Sequence, residues 1–247
     1  MSILAIAQKE LRLYFTSLLF YVLAAVFLVL AGYFFFTNLQ FFVQFGGMNL
    51  PLGLWQYQFF DMRQLLLVLI PLLTMRLFAE ERRLGTLELL WTYPLRDGEI
   101  ILGKFLGCMT VLSVMLAATA VYPIVLASLY PAVSAGPVLA GYLGLWLLAA
   151  AFVACGLFLS ALTDSQIVAG ASAYGVLLFF WIITWNEAAV SEGALKLLVP
   201  FSLFDRFQTF ARGGVDTRDL SFFVLFVTAF LAFTWLALDA RRWRGLR

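Results

Sequence analysis

Apolar residues fall in six long blocks along the chain, parted by short polar or aromatic breaks. A helix needs about 20 largely apolar residues to cross the hydrocarbon core of a bilayer. Blocks at about 17–36, 62–78, 105–126, 137–162, 166–185 and 220–238 therefore predict six crossings. Ahead of them, residues 2–15 are too polar to span. Ile3, Ile6, Ala7, Leu11 and Tyr14 share one helical face, with Gln8, Lys9 and Arg12 opposite, which predicts an amphipathic helix lying in the interface. Residues 37–61 hold Phe41, Phe42, Gln44, Trp55, Tyr57 and Phe59 with almost no charge, a composition expected of a loop in the headgroup zone. Pro71 is expected to kink the second crossing.

The polar run at 79–104 organises the rest. Glu80, Glu81, Arg82 and Arg83 stand together, and Gly85-Thr86 breaks the run. Thr86 suits a helix N-cap, and Glu88 suits the positive end of the helix dipole. Leu87, Leu89, Leu90 and Trp91 follow, and Pro94 disfavours helix before it. The pattern predicts a helix of about two turns. Its apolar face has no neighbour in its own loop, so it is expected to dock on a partner. Asp97 is expected to cap the third crossing, with Glu99 in its first turn.

In the loop at 186–219, Ser202 followed by Asp205 reads as an N-cap with an acid three residues on. A short amphipathic helix, Leu203–Ala211, is expected to stop at Gly213-Gly214. Asp216-Thr217-Arg218-Asp219 then caps the sixth crossing. Phe201, Phe204, Phe207 and Phe210 recur every three residues. They either gate an exit or rest in the interface.

Composition agrees with a membrane chain: 64% hydrophobic and 12% charged residues leave too little polar surface for a soluble domain. A net charge of only +2 gives no footing for nucleic acid. With no His, the commonest metal ligand and general base are missing. Cys108 and Cys155 sit inside apolar stretches and read as small core residues. The first apolar block is too long for a signal-peptide core, so no cleaved signal is expected. Six crossings put both termini and the 79–104 loop on one side. The other side keeps Arg63, Lys196, Arg206, Arg212 and Arg218, so eleven of 16 basic residues lie with the termini. That bias predicts cytoplasmic termini and an external 186–219 loop.

The chemistry of an ion-coupled carrier is missing from the predicted span centres. Asp61, Arg63, Arg76, Asp164 and Asp239 fall at span ends, whereas coupling residues lie at membrane depth. Energy for transport is thus expected from outside the chain. Gly98 to Lys104 matches the phosphate-loop spacing, but Phe105 replaces the Ser or Thr that would hold magnesium, and no strand precedes it. It reads as a helix start with a snorkelling Lys104. With no nucleophile elbow or His base, the chain is not expected to be an enzyme.

Three motif groups carry a family resemblance. The first runs from Leu73-Thr74-Met75-Arg76 through Glu80-Glu81, Gly85 to Leu90, Thr92, Pro94-Leu95 and Gly103-Lys104-Phe105. The second is Leu159-Ser160 with Gln166 to Ala169, and the third is Phe204-Asp205, Arg212-Gly213 and Asp216 to Asp219. In these the chain resembles the membrane-spanning permease subunits of ABC transporters of the ABC-2 type, nearest to the gliding-motility-associated branch. The resemblance implies a single all-α integral membrane domain over 1–247 with the type V exporter-like fold. It implies six transmembrane helices, an N-terminal interfacial helix and a short cytoplasmic coupling helix near 86–92. It further implies two copies of a separate ATPase, which bind ATP and Mg, while the permease binds no cofactor. A second permease, itself or a larger relative with an extracytoplasmic domain, completes the pathway in a bacterial cytoplasmic membrane.

The function so implied is export driven by the partner's ATP hydrolysis. The alternative is a mechanotransmitting subunit that moves no substrate. Leu87, Leu89, Leu90 and Trp91 would bury against the ATPase or rest on the membrane surface. Glu80, Glu81 and Glu88 would pair with its basic residues, although Arg76 and Glu80 are also spaced for a local pair. Gly85 would supply a hinge and Thr86 a cap. Phe204, Asp205, Arg212, Asp216 and Arg218 would form an external gate or brace. Thr110, Ser113, Thr119, Ser172 and Tyr174, few among apolar faces, suit lipid-like cargo.

Overall fold

The computed structural model describes residues 3–45, 50–86, 96–129, 135–185 and 202–244, and these form helices joined by turns. In chain order they are α1 (Ile3–Thr16), α2 (Leu18–Phe45), α3 (Leu50–Thr74), α4 (Ala79–Arg83), α5 (Asp97–Thr119), α6 (Val121–Leu129), α7 (Ala135–Leu162), α8 (Gln166–Trp185), α9 (Leu203–Ala211) and α10 (Thr217–Arg244). Among the described residues, five stretches are long and apolar enough to cross a membrane: Leu18–Gln44, Gly53–Arg83, Asp97–Ser128, Ala135–Leu162 and Thr217–Ala240. α8 is apolar over Gln166–Ile182 and shorter than these.

Most of the expected loop at 37–61 is helix instead, with only residues 46–49 outside the described ones. Some of its polar and aromatic side chains make contacts between α2 and α3, while Phe41, Gln44 and Tyr57 are exposed. Asn38 Nδ2 donates to Asp61 Oδ2 at 2.7 Å, and Gln58 Nε2 donates to Ala31 O at 3.1 Å. The Trp55 ring stacks on Phe35, 6.1 Å between centroids. These contacts join the two segments, and both stay helical inside the bundle. Asp61 and Arg63 therefore sit well inside α3, not at the end of a crossing. Pro71 does not end α3, which runs on to Thr74; Met75 N–H still donates to Pro71 O at 3.0 Å before a tight turn leads into α4.

α7 is the centre of the bundle. Of its spanning window 78% is buried, against 17% for α2 and 11% for α10, which leave most of their apolar surface outward. Glycines let its neighbours close in. A Cβ on Gly141 would run into the Phe59 ring, and one on Gly156 into Thr74 Oγ1. The order of these contacts makes α3 and α7 parallel. Phe210 fills the space over Gly144, and Phe204 meets Phe152 at 5.9 Å between centroids. That reversed order makes α9 antiparallel to α7.

α9 has the bounds its end signals predict. Ser202 Oγ accepts from Asp205 N–H at 3.2 Å, and Gly213 takes φ 86°, where glycine is favoured. Phe204, Phe207 and Phe210 are all buried in the protein. α9 is thus a packed part of the bundle, not a helix resting in the interface.

Gly156→Val is expected to lower the unfolding temperature of the detergent-purified chain, at a cost of about 1–3 kcal/mol for overpacking. Gly175→Val, where a Cβ meets nothing within 4 Å, should leave it almost unchanged in the same melting experiment.

Candidate functional site

The candidate site is built on α4, a single short turn of helix held by three other elements. Its N-cap, Phe78, has no capping side chain of its own. Ser160 of α7 supplies one, accepting from Phe78 N–H and Ala79 N–H, both at 3.1 Å, and donating to Met75 O at 3.1 Å. One buried hydroxyl thus meets two orphan donors of α4 and a carbonyl of the preceding turn. At the other end, Arg82 pairs with Asp164 at 3.6 Å, tying α4 to the turn between α7 and α8.

Next to α4 lies a buried charge cluster. Lys104 of α5 is 1% exposed, and its Nζ contacts Glu10 Oε1 at 2.6 Å and Glu81 Oε2 at 2.9 Å. Glu81 also receives Lys9 Nζ at 2.8 Å on Oε1. Lys104 further lies 5.2 Å from the centre of the Phe78 ring. An ammonium this deep is tolerated only when paired and hydrogen-bonded, and two carboxylates from two elements do that here. Two small residues make the approach possible. A Cβ on Gly103 would sit 2.6 Å from Ile6 Cβ, and one on Gly107 2.8 Å from Glu10 Cβ. α1 can therefore lie against α5 with Glu10 facing Lys104.

This corrects the reading of Lys104 as a snorkelling side chain: it points into the protein, and its residue lies inside α5. Arg76 likewise makes no ion pair with Glu80 among those of the described residues. It donates to Ser17 Oγ at 2.9 Å and lies over the Tyr14 ring at 4.7 Å. Arg96, not Asp97, is the N-cap of α5, and Glu99 Oε2 accepts its N–H at 3.1 Å.

Of the proposed coupling residues, Glu81 is engaged within the chain and braces the loop, while Glu80 is half-buried beside it. Gly85 takes φ 69°, a conformation that suits glycine. Thr86 Oγ1 donates to Glu81 O at 3.2 Å. Leu87, Glu88, Leu89, Leu90 and Trp91, and with them the expected coupling helix, lie outside the described residues.

Well inside α3, Arg63 lies over the Phe60 and Phe204 rings at 4.7 and 5.1 Å. Asp205 lies in the first turn of α9. The brace between α9 and α10 is Arg206 to Asp219, 2.7 Å, in place of the expected Arg212 and Asp216. Arg212 is the exposed C-cap of α9, and Asp216 Oδ1 accepts Arg218 N–H at 2.9 Å, capping α10. Among the described residues, no group of three or more His, Cys, Asp or Glu is placed to hold a metal.

Sequence reasoning missed Glu10, Lys104, Ser160, Arg206 and Asp219 as structural partners. Glu10 carried a signal: it falls on the same helical face as Ile6, Ala7 and Tyr14, and an acid in an apolar stripe calls for a buried cation.

The family described as ABC-2 family transporter protein matches residues 4–238, and the chain belongs to it. Its helices and this membership define a multi-pass membrane component of the permease kind. No curated protein matches it.

Lys104→Met should strand Glu10 without its cation and leave Glu81 with Lys9 alone, at a cost of about 3–5 kcal/mol. Adding Glu10→Gln should recover part of that loss in thermal unfolding of the purified chain.

Proposed function

We propose that the chain is the permease subunit of an ATP-binding cassette transporter that couples ATP hydrolysis in a separate ATPase to export across a bacterial cytoplasmic membrane. The observation that carries this reading is the clamping of α4. Ser160, Lys104, Lys9 and Asp164 tie the root of the 79–104 loop to α1, α5 and the α7–α8 turn. A contact on that loop has a rigid path into the bundle.

α8 serves as the sixth crossing: its 20 residues span about 30 Å at the α-helical rise. Lys9 on Glu81 and Arg82 on Asp164 gather α1, the loop root and the α7–α8 turn at one end, as six crossings require. The excess of basic residues makes that end cytoplasmic. Residues 86–92 then form the coupling contact, with Leu87, Leu89, Leu90 and Trp91 against the ATPase and Glu88 toward its cations. ATP and Mg are bound by that partner, in two copies. The Phe204-Asp205, Arg212-Gly213 and Asp216 to Asp219 motifs favour the gliding-motility branch, in which the second permease is this chain or a larger relative. Phe204, Asp205, Arg212, Asp216 and Arg218 surround the external brace.

The test is a tagged pull-down from mildly solubilised native membranes, comparing wild type with Glu88→Arg and Leu89→Asp. An ATP-binding subunit should accompany wild type and be lost from both variants. Recovery of no ATPase, or equal recovery in all three, would overturn the proposal. An extracytoplasmic protein recovered with the ATPase, and no transported substrate, would favour mechanotransmission over export.

A further inference from the structure

Between α1 and the stretch running from the end of α3 through α4 lies a cavity of about 410 Å³. Its walls carry three cations, Lys9, Arg76 and Lys104, and three carboxylates, Glu10, Glu80 and Glu81. Four of these six neutralise one another in the cluster described above. Arg76 and Glu80 remain. Arg76 gives one N–H to Ser17 and packs on Tyr14, which leaves further donors of its guanidinium fork. Glu80 N–H donates to Arg76 O at 3.4 Å, so the two residues are one helical turn apart, about 5–6 Å between Cβ atoms. Among the ion pairs of the described residues, none joins them.

A cavity with one open positive and one open negative group, a turn apart, matches a ligand that carries both charges at similar separation. A purely anionic group would face Glu80, and a lone cation would face Arg76. The cavity also lies where helices of spanning length end, and Leu13, Leu77 and Leu84 line it beside the charges. Apolar side chains beside charged ones in one cavity suit the glycerol end of a lipid. We propose that this cavity binds a zwitterionic phosphate–ammonium headgroup, as in phosphatidylethanolamine, with the phosphate on Arg76 and Ser17 and the ammonium on Glu80. The cavity shares Glu80, Glu81 and Thr86 with the proposed coupling set but none of residues 87–91, and lipid retention by the isolated chain tests it without the ATPase.

The full chain, purified in detergent, would be given equal amounts of phosphatidylethanolamine, phosphatidylglycerol and phosphatidylcholine, and retained lipid read by native mass spectrometry. Phosphatidylethanolamine should be retained roughly ten-fold over the other two, the effect of one charge-assisted contact. Glu80→Gln should abolish its advantage over phosphatidylglycerol, and Arg76→Gln should lower retention of both. Unfolding temperatures of the variants check that they remain folded; Glu80 makes no contact needed by the cluster, so Glu80→Gln is the decisive one. Equal retention of the three lipids by wild type, or an undiminished preference in folded Glu80→Gln, would overturn the proposal. Glycerophosphoethanolamine serves as a competitor. If it displaces the lipid at equal concentration, the same chemistry is met by a soluble phosphoester; if it does not, the lipid is the ligand.

Discussion

A fully buried ammonium has to be neutralised where it lies, and Lys104 imposes that demand on this fold. Its two carboxylates come from elements far apart along the chain, Glu10 from α1 and Glu81 from α4. Satisfying one side chain therefore fixes a terminal helix and a loop root at once. Removing either partner would leave a charge in a low-dielectric site, at a cost far above that of a surface pair. The packing around the cluster follows from the same demand. Gly103 and Gly107 give α1 room to bring Glu10 down, and Ser160 holds the start of α4 so that Glu81 faces Lys104.

The two ends of the bundle use charge differently. At the Lys104 end the ions are interior and shared among three elements. At the other end Arg206 pairs with Asp219, and midway along α3 the Asp61 carboxylate is met by the Asn38 amide. Between them run the apolar contacts of α7 with α3, α9 and α10, made close by Gly141, Gly144 and Gly156. On the proposed coupling role, a push on the 79–104 loop would be received by this ionic cluster and passed to the helices that pack on α7.

Much of the helical architecture was legible because hydrophobic period and end signals act locally. Ser202, Asp205 and Gly213 define α9 by capping chemistry alone, and the apolar face of residues 2–15 announces α1. What was not legible depends on partners distant in sequence. Asn38 and Asp61, or Gln58 and the Ala31 carbonyl, look like loop chemistry until the facing helix is known. Lys104 looks like an interfacial lysine until Glu10, 94 residues away, is placed beside it. Asp61 and Arg63 read as span-end charges because α3 extends a dozen residues further toward the N-terminus than its apolar block suggests. The Arg206–Asp219 brace was displaced onto Arg212 and Asp216 for a similar reason. Both candidate pairs are close in sequence, and only the way α9 packs decides between them.

Hydrogen exchange on the permease, alone and with the co-purified ATPase, tests most directly whether the clamped loop links motor to membrane. ATPase binding should slow exchange at 86–92 and also in α1, and Glu81→Gln should keep the first protection while losing the second. Protection confined to other surfaces, or α1 protection that survives Glu81→Gln, would contradict a path through the Lys104 cluster.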